Sequence, residues 1–523
     1  MSAGSYAGTR LLARAALRRD RVMVPVWMGL LAAGCYGSAA ATPSLYSSVA
    51  DRVAAARTIN ASPAVVALYG PILDPHSLGE VAMAKMTVLY ALFVAGLFIV
   101  LVRRHTRVEE ENGQTELVGG TAVGADAPLA AAVLVCGGLA VVLGMLAAAV
   151  DALGGLPVTG SIAFGASWAG IGLVATGLAA VACQVSASAR TCAGIATGVL
   201  GVLYVLRAIG DTSVSWLSWC SPYGWSTQLR AWSDPRWWVL PLYVVLAAAL
   251  LVAAQLLRAR RDLGSGLVAA RPGPASGATR LSTALALEFR LHALALGTWS
   301  TAVAVLGVVL GAIVPNIGQL LNSSSARSLI ERLGGVGAIQ DALIAAEFSI
   351  FAVVVTCFGI TVVTRAASDE ADGRTEQVLA TGTSRIQTFV AVLVVSFAGT
   401  AWLMFVMGVA VGLGYGRNFA AVLGAGLVHV PAVWVVVALA LLGFSLLARR
   451  ALLGWAFVTL FLSLGQLGEM LRLPGWVTGL SPYSHVPAVP VAEFSVVPEL
   501  ALTAIAVLAV LIAWTRYRSR DIV

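Results

Sequence analysis

The sequence predicts an all-α integral membrane protein, with about twelve transmembrane helices arranged as two parallel six-helix repeats. Three observations carry that expectation. Charged residues make up 11% of the 523 residues and hydrophobic ones 59%, with a mean hydropathy of +0.89. A soluble globular chain carries roughly 25% charged residues, because its surface must be solvated; here lipid is the solvent that permits folding. Apolar runs of membrane-crossing length recur along the whole chain, and a set of residues recurs at a constant distance through its second half.

About 20 mostly apolar residues cross the hydrocarbon core as a helix. Such runs fall near 22–42, 81–103, 128–152, 160–186, 192–210 and 237–257, then near 293–315, 342–364, 387–413, 419–447, 451–470 and 497–515. Arginine orients them. Arg10, Arg14, Arg18, Arg19 and Arg21 precede the first span, and Arg103, Arg104 and Arg107 follow the second. Arg190, the group Arg258, Arg260 and Arg261, the pair Arg449 and Arg450, and the group Arg516, Arg518 and Arg520 mark alternate loops. The opposite loops hold fewer, such as Arg52, Arg57, Arg230 and Arg236. The positive-inside rule then places both termini in the cytoplasm. This clustering accounts for the net charge of +8 without a nucleic-acid partner.

The N-terminus has basic residues, an apolar run and Ala33-Gly34-Cys35, which mimic a lipoprotein signal. Ala32 is a poor fit to such a site, and the second half opens with a comparable basic-then-apolar segment over 280–315 that has no such cysteine. The expectation is an uncleaved first span. The six cysteines Cys35, Cys136, Cys183, Cys192, Cys220 and Cys357 are scattered with no CxxC, so neither a disulfide framework nor a zinc site is indicated.

The repeat has an offset of 260: Glu110, Gly113, Thr115 and Glu116 recur as Glu370, Gly373, Thr375 and Glu376. The same register takes Arg190 to Arg450, Gly194 to Gly454, Trp216 to Trp476, and Ser221-Pro222-Tyr223 to Ser481-Pro482-Tyr483. An even number of spans per half makes the repeats parallel, related by a pseudo-twofold axis along the membrane normal with a pathway between them. The expected organisation is a first six-helix half at 1–258, a cytoplasmic linker at 259–280 and a second half at 281–523. The linker carries Gly264-Ser265-Gly266, Pro272-Gly273-Pro274 and Ser276-Gly277.

The loop after the second span of each half is acidic: Glu109-Glu110-Glu111-Asn112-Gly113-Gln114-Thr115-Glu116 and Asp369-Glu370-Ala371-Asp372-Gly373-Arg374-Thr375-Glu376. Acidic residues oppose the anionic lipid surface at a cytoplasmic edge. One such loop is ordinarily a solvated turn. Two at equivalent places suggest a pair of docking helices that face a basic protein surface.

These loops, the six-span halves and the basic helix before each first span resemble the permease of an ABC-2 type exporter. More narrowly, the chain resembles the fused twelve-span antibiotic and multidrug exporter permeases of actinobacteria. The segment Glu370 to Gly373 and Glu376 to Arg385, with Leu379-Ala380-Thr381 and Ser384-Arg385, carries the match best. The resemblance implies a type V exporter-like fold in the bacterial plasma (inner) membrane. It also implies coupling to a cytoplasmic ATPase, present as two copies, through Glu110, Glu111, Gly113, Thr115 and Glu116 and through Glu370, Asp372, Gly373, Thr375 and Glu376. Val118-Gly119-Gly120-Thr121 replaces Leu-Ala-Thr in the first loop, and Gly382 stands where that family often has proline, so the resemblance does not extend to equal docking by the two halves.

A Walker A loop needs a lysine that reaches the phosphates. The single lysine, Lys85, precedes Met86 inside a span, and Leu462-Ser463-Leu464-Gly465-Gln466 mimics an ABC signature only within an apolar run. The chain is therefore expected to be a transport subunit rather than an enzyme. It would hold no cofactor or metal of its own, with ATP and Mg bound by the partner. His292, His429 and His485 have no metal-ligand spacing.

Ionisable groups inside spans are functional candidates. Lys85 and Glu347 stand at nearly equivalent repeat positions and read either as an outer gate or as side chains snorkelling to the interface. Arg207, Asp211 and Glu469 either extend that ring or mark span ends. The resemblance places the second and fifth spans of each half along the cavity. That implicates Met83, Met86, Tyr90, Phe93, Tyr204, Phe348, Phe351, Phe358, Trp455 and Phe461, residue types that repack around large amphiphilic ligands. The Ser-Pro-Tyr segments read as short structural helices capping the pathway. A proton-driven twelve-span secondary transporter is the competing reading. Against it, Gln114-Thr115-Glu116 stands where that family has paired basic residues, and no mid-membrane carboxylate is apparent. A membrane-embedded enzyme or receptor finds no supporting site.

Overall fold

The computed structural model describes residues 3–46, 48–61, 63–269, 276–316, 336–446, 454–458, 460–461, 474–492 and 494–520. Backbone amides and carbonyls have no water to bond in a bilayer, so a helix, which satisfies them internally, is the economical solution. The described residues are accordingly helices and short connections. Eleven helical segments among them are long and apolar enough to span a membrane.

The chain folds as two compact units, Met1–Gly273 and Pro274–Val523. The first begins with α1 (Thr9–Arg19) and α2 (Met23–Leu45), followed by α3 (Val49–Ala61), α4 (Pro63–Tyr69) and α5 (Leu78–Arg104). Two short helices, α6 (Arg107–Glu111) and α7 (Gln114–Gly119), form an elbow. Then come α8 (Ala127–Leu153), α9 (Val158–Val185), α10 (Ala189–Thr212), α11 (Trp216–Trp219), α12 (Pro222–Gln228) and α13 (Leu240–Arg258).

The second unit runs α14 (Ala284–Ile313), α15 (Val336–Ala371), the elbow helix α16 (Arg374–Leu379), α17 (Arg385–Tyr415), α18 (Phe419–Leu427), α19 (Val430–Leu446), α20 (Gly475–Thr478) and α21 (Val496–Ser519). Helices α18 and α19 together make one apolar span, Phe419–Leu446. The expected span at 451–470 lies largely outside the described residues, as do Arg449, Arg450, Glu469, Leu462 to Gln466 and Pro272-Gly273-Pro274.

Local chemistry sets the helix starts. Ser77, Ser188 and Thr283 accept from backbone amides in the first turns of α5, α10 and α14. Ser384 and Gln387 form a capping box on α17.

Helix α9 is the hub of the first unit and α19 lies deep in the second. Lipid tails are as apolar as leucine, so helices in a bilayer associate by close packing and occasional hydrogen bonds. Gly144 of α8 and Gly165 of α9 meet backbone to backbone, where a Cβ on either would strike the other's carbonyl. Trp168 donates from Nε1 to the Met86 carbonyl at 3.2 Å, pinning α9 to α5. In the second unit Trp402 of α17 donates to the Ser300 hydroxyl of α14 at 3.0 Å.

Candidate functional site: the paired elbows

Each elbow is set by a glycine in the left-handed region, Gly113 at φ +70° and Gly373 at φ +72°, which is the N-cap of the short helix that follows. The pattern of exposure repeats in register. Gln114, Glu116 and Leu117 are exposed on α7, and Arg374, Glu376 and Gln377 on α16, while Thr115 and Thr375 are half-buried. Leu117 is 78% exposed, an apolar side chain presented outward at the elbow.

The acidic residues before the glycine behave differently from the sequence expectation of a shared docking surface. Glu110 faces inward. Its carboxylate is bridged by Arg261, at 2.9 Å and 2.6 Å to its two oxygens, and also by Arg107 one turn earlier. Arg107 is 1% exposed and donates to the Ser265 carbonyl at 2.6 Å. Arg261 also bonds Gln184 at 2.7 Å. The chain after α13 thus folds back onto the elbow and the end of α9, where Leu267 and Val268 donate to the carbonyls of Gln184 and Val185. Glu111 accepts from the Ala189 amide at 2.6 Å, capping α10.

The second unit repeats this clasp. Glu370 is 1% exposed and accepts from Arg520, just beyond α21, at 2.6 Å. The Arg520 guanidinium lies over Phe444 and Tyr517, 5.1 Å and 5.2 Å from their ring centroids. In each unit an elbow glutamate, half-buried at Glu110 and buried at Glu370, therefore holds an arginine from the end of that unit's last described span. A charge removed from water must be paired, and this pairing fixes the elbow to the span.

The neighbouring charges separate the two elbows. At the first, Asp20 between α1 and α2 meets Arg104 at 3.2 Å and His105 at 2.5 Å, and Arg19 meets Glu109 at 3.0 Å. At the second, Asp369 meets Arg374 at 2.7 Å and Arg365 at 3.7 Å, and Asp372 is exposed beside Arg374 at 2.5 Å. The hydrogen bond from Arg374 to Asp369, with Asp372 adding to it, holds that guanidinium's pKa above its ordinary value.

The other candidates are spread through their units. Lys85 is exposed on α5. Glu347 is half-buried on α15, its Oε2 buried without a hydrogen-bond partner. Arg207 is fully buried, pairs with Asp211 at 3.2 Å, and donates to the carbonyls of Val66 and Ala67 at the end of α4. Asp211 also accepts from Ser218 at 2.5 Å. These two residues therefore tie the end of α10 to the end of α4 and to Ser218.

Met86, Phe358 and Phe461 are buried in core packing, as are Met83 and Phe348, while Tyr90 and Phe351 pack at its margin. Tyr204 donates to the Leu68 carbonyl at 2.5 Å. Phe93 and Trp455 are the exposed members of the set, at 49% and 39%. The Ser-Pro-Tyr segments form α12 and a 3-10 turn, Pro482–His485. Tyr223 is buried against Tyr204, and Tyr483 bonds Thr356 at 2.6 Å; burial raises the pKa of both phenols.

Sequence reasoning missed Asp151. It lies on α8, 0% exposed, with neither carboxylate oxygen hydrogen-bonded. Its place in the last turn of an apolar run was the available signal. The clasps were missed as well, although the signal was an arginine group about 150 residues after each acidic loop.

The model of a family described as the multidrug efflux system permease Rv1217c, C-terminal domain, matches residues 281–518. Along nearly its full length the chain is similar to the multidrug efflux system permease protein Rv1217c of Mycobacterium tuberculosis. The two are 37% identical over 528 residues, covering 99% of this chain and 96% of that protein.

Proposed function

The chain belongs to the Rv1217c family of multidrug efflux system permeases, and we propose that it is the membrane subunit of an ATP-driven ABC exporter that moves amphiphilic drugs or antibiotics out of the cell. It is a multi-pass membrane protein. The reading places it in the bacterial plasma membrane with both termini and both elbows cytoplasmic. Two copies of a cytoplasmic ATPase subunit bind ATP and Mg²⁺ and dock on the elbows.

The observation that carries the reading is the duplicated elbow, with a left-handed glycine, a short helix and the same exposed positions in both units. Glu116, Leu117, Glu376 and Gln377 are the contact face. Glu110 and Glu370 act behind it, carrying a push on the elbow into α13 and α21 through Arg261 and Arg520. Phe93 and Trp455, the exposed members of the pathway set, are proposed to meet the ligand. Lys85, near the start of α5, and Glu347, near the start of α15, are the proposed gate residues of their own units.

The test is co-expression with a candidate ATPase subunit and purification of the complex, with and without paired Glu116→Arg and Glu376→Arg. Loss of drug-stimulated ATP hydrolysis by about tenfold, with the permease still folded, is expected from reversing rim charges. Unchanged co-purification and hydrolysis would remove the elbows from the docking surface. The buried, unpaired carboxyl of Asp151, with the unpartnered Oε2 of half-buried Glu347, favours a second reading, proton-driven transport. Transport by the purified chain against a proton gradient without ATP would establish that reading instead.

A further inference from the structure

At the elbow end of the second unit lies a cavity of about 510 Å³ between the foot of α14, the end of α15, the elbow helix α16 and the start of α17. Its size suits a drug-sized ligand. Leu281, Leu287, Leu291, Phe389 and Val392 give it apolar walls, and Thr375 and Val378 of the elbow helix form part of its lining.

Four charged side chains line it: Glu288, Arg365, Asp369 and Arg374. Both arginines are bound to Asp369, and Arg374 also to Asp372. Glu288 is the carboxylate of this lining that no arginine bridges among the described residues. Its ion-pair partner is His292 of the same helix at 3.3 Å, charged only when protonated. Glu288 thus faces the cavity with an imidazole as its ion-pair partner, and Arg365 acts on it only from further away.

The first unit covers the matching surface with its own chain. Ala13 and Ala16 of α1 pack on Ala131 and Val135 of α8. Ala131 corresponds at the 260-residue offset to Ala391, which lines the cavity in the second unit.

We infer that this cavity binds a cationic amphiphile, its apolar body against α14 and α17 and its positive group on Glu288. Because the same molecule touches Thr375 and Val378, occupancy bears directly on the elbow. The inference rests on the exporter reading for its meaning as a substrate site, while binding itself does not require it.

The experiment uses the purified full chain in dodecyl maltoside, without any ATPase, and follows fluorescence anisotropy of rhodamine 6G, a cationic dye, against Nile red, an uncharged one. Glu288→Gln is expected to weaken rhodamine 6G about tenfold, the loss of one charge-assisted contact, and to leave Nile red unchanged. Thr388→Trp, which narrows the cavity, is expected to weaken both. Retained Nile red binding shows that Glu288→Gln is folded, and an unchanged thermal midpoint shows the same for Thr388→Trp. Equal rhodamine 6G affinity in the wild type and Glu288→Gln would overturn the inference, as would no saturable binding below about 100 μM. Displacement of the dye by phosphatidylethanolamine but not phosphatidylcholine would make a lipid headgroup the occupant and overturn it too. Failure of dye binding alongside intact drug-stimulated hydrolysis sinks only this site. Intact binding alongside ATP-independent transport sinks only the exporter reading.

Discussion

Glu370 and Arg520 show how a single pair can outrank its surroundings. The glutamate is 1% exposed and its arginine is sandwiched over two aromatic rings. Removing one partner of a buried pair leaves the other charge uncompensated, at about 3–5 kcal/mol. Glu370→Ala should therefore lower the midpoint of thermal unfolding in detergent well beyond what Glu376→Ala does on the exposed face. Reversing the pair, Glu370→Arg with Arg520→Glu, should recover part of that loss, and no recovery would mean the two act independently. The same logic makes Glu110→Arg a test of folding rather than of docking, since Glu110 is held by Arg107 and Arg261. Sequence alone showed that these glutamates recur. It could not show which way they point, because an acidic residue before a turn has the same pattern whether solvated or clasped.

At the scale of the element, the elbow depends on a backbone conformation more than on side chains. A Cβ at Gly113 or Gly373 would meet nothing within 4 Å, so the cost of substitution there lies in the dihedral angle. A β-branched residue at left-handed φ costs roughly 1–2 kcal/mol, whereas asparagine visits the region readily. Gly373→Val should reorient α16 and reduce stimulation of a bound ATPase several-fold, while Gly373→Asn should retain most of it. Similar activity in the two variants would show that the turn does not control the elbow. Periodicity and length made the spans legible, since apolar runs announce a helix that crosses a bilayer. Helices α3 and α4 were not legible. They precede α5 outside any such run and are held partly by Arg207, which binds the end of α4 from a distant helix.

For the whole molecule, each unit has its own buried core, one around α9 and one around α15, α17 and α19. A hydrophobic core of its own is what lets a segment fold as a unit. Fragments 1–273 and 274–523, expressed separately, should each insert in the membrane and resist limited proteolysis. Degradation of either fragment unless its counterpart is co-expressed would mean that the cores are not self-sufficient. The 260-residue register anticipated the like elbows. It did not anticipate their unlike surroundings, α1 on α8 in the first unit and an open cavity beside α14 in the second.

By itself the sequence determined what depends on composition and spacing. A chain with 11% charge must use lipid as solvent, and a constant offset must place like turns in two halves. Tertiary structure decided every question of direction. Glu110 and Glu370 turned inward to arginines about 150 residues away, Met86 and Phe358 went into the core, and Glu288 came to line a cavity with His292 rather than an arginine as its ion-pair partner. The physical reason is that hydropathy and helix propensity act over a few turns. The pairing of a charge depends on which distant side chain the fold brings within hydrogen-bonding reach.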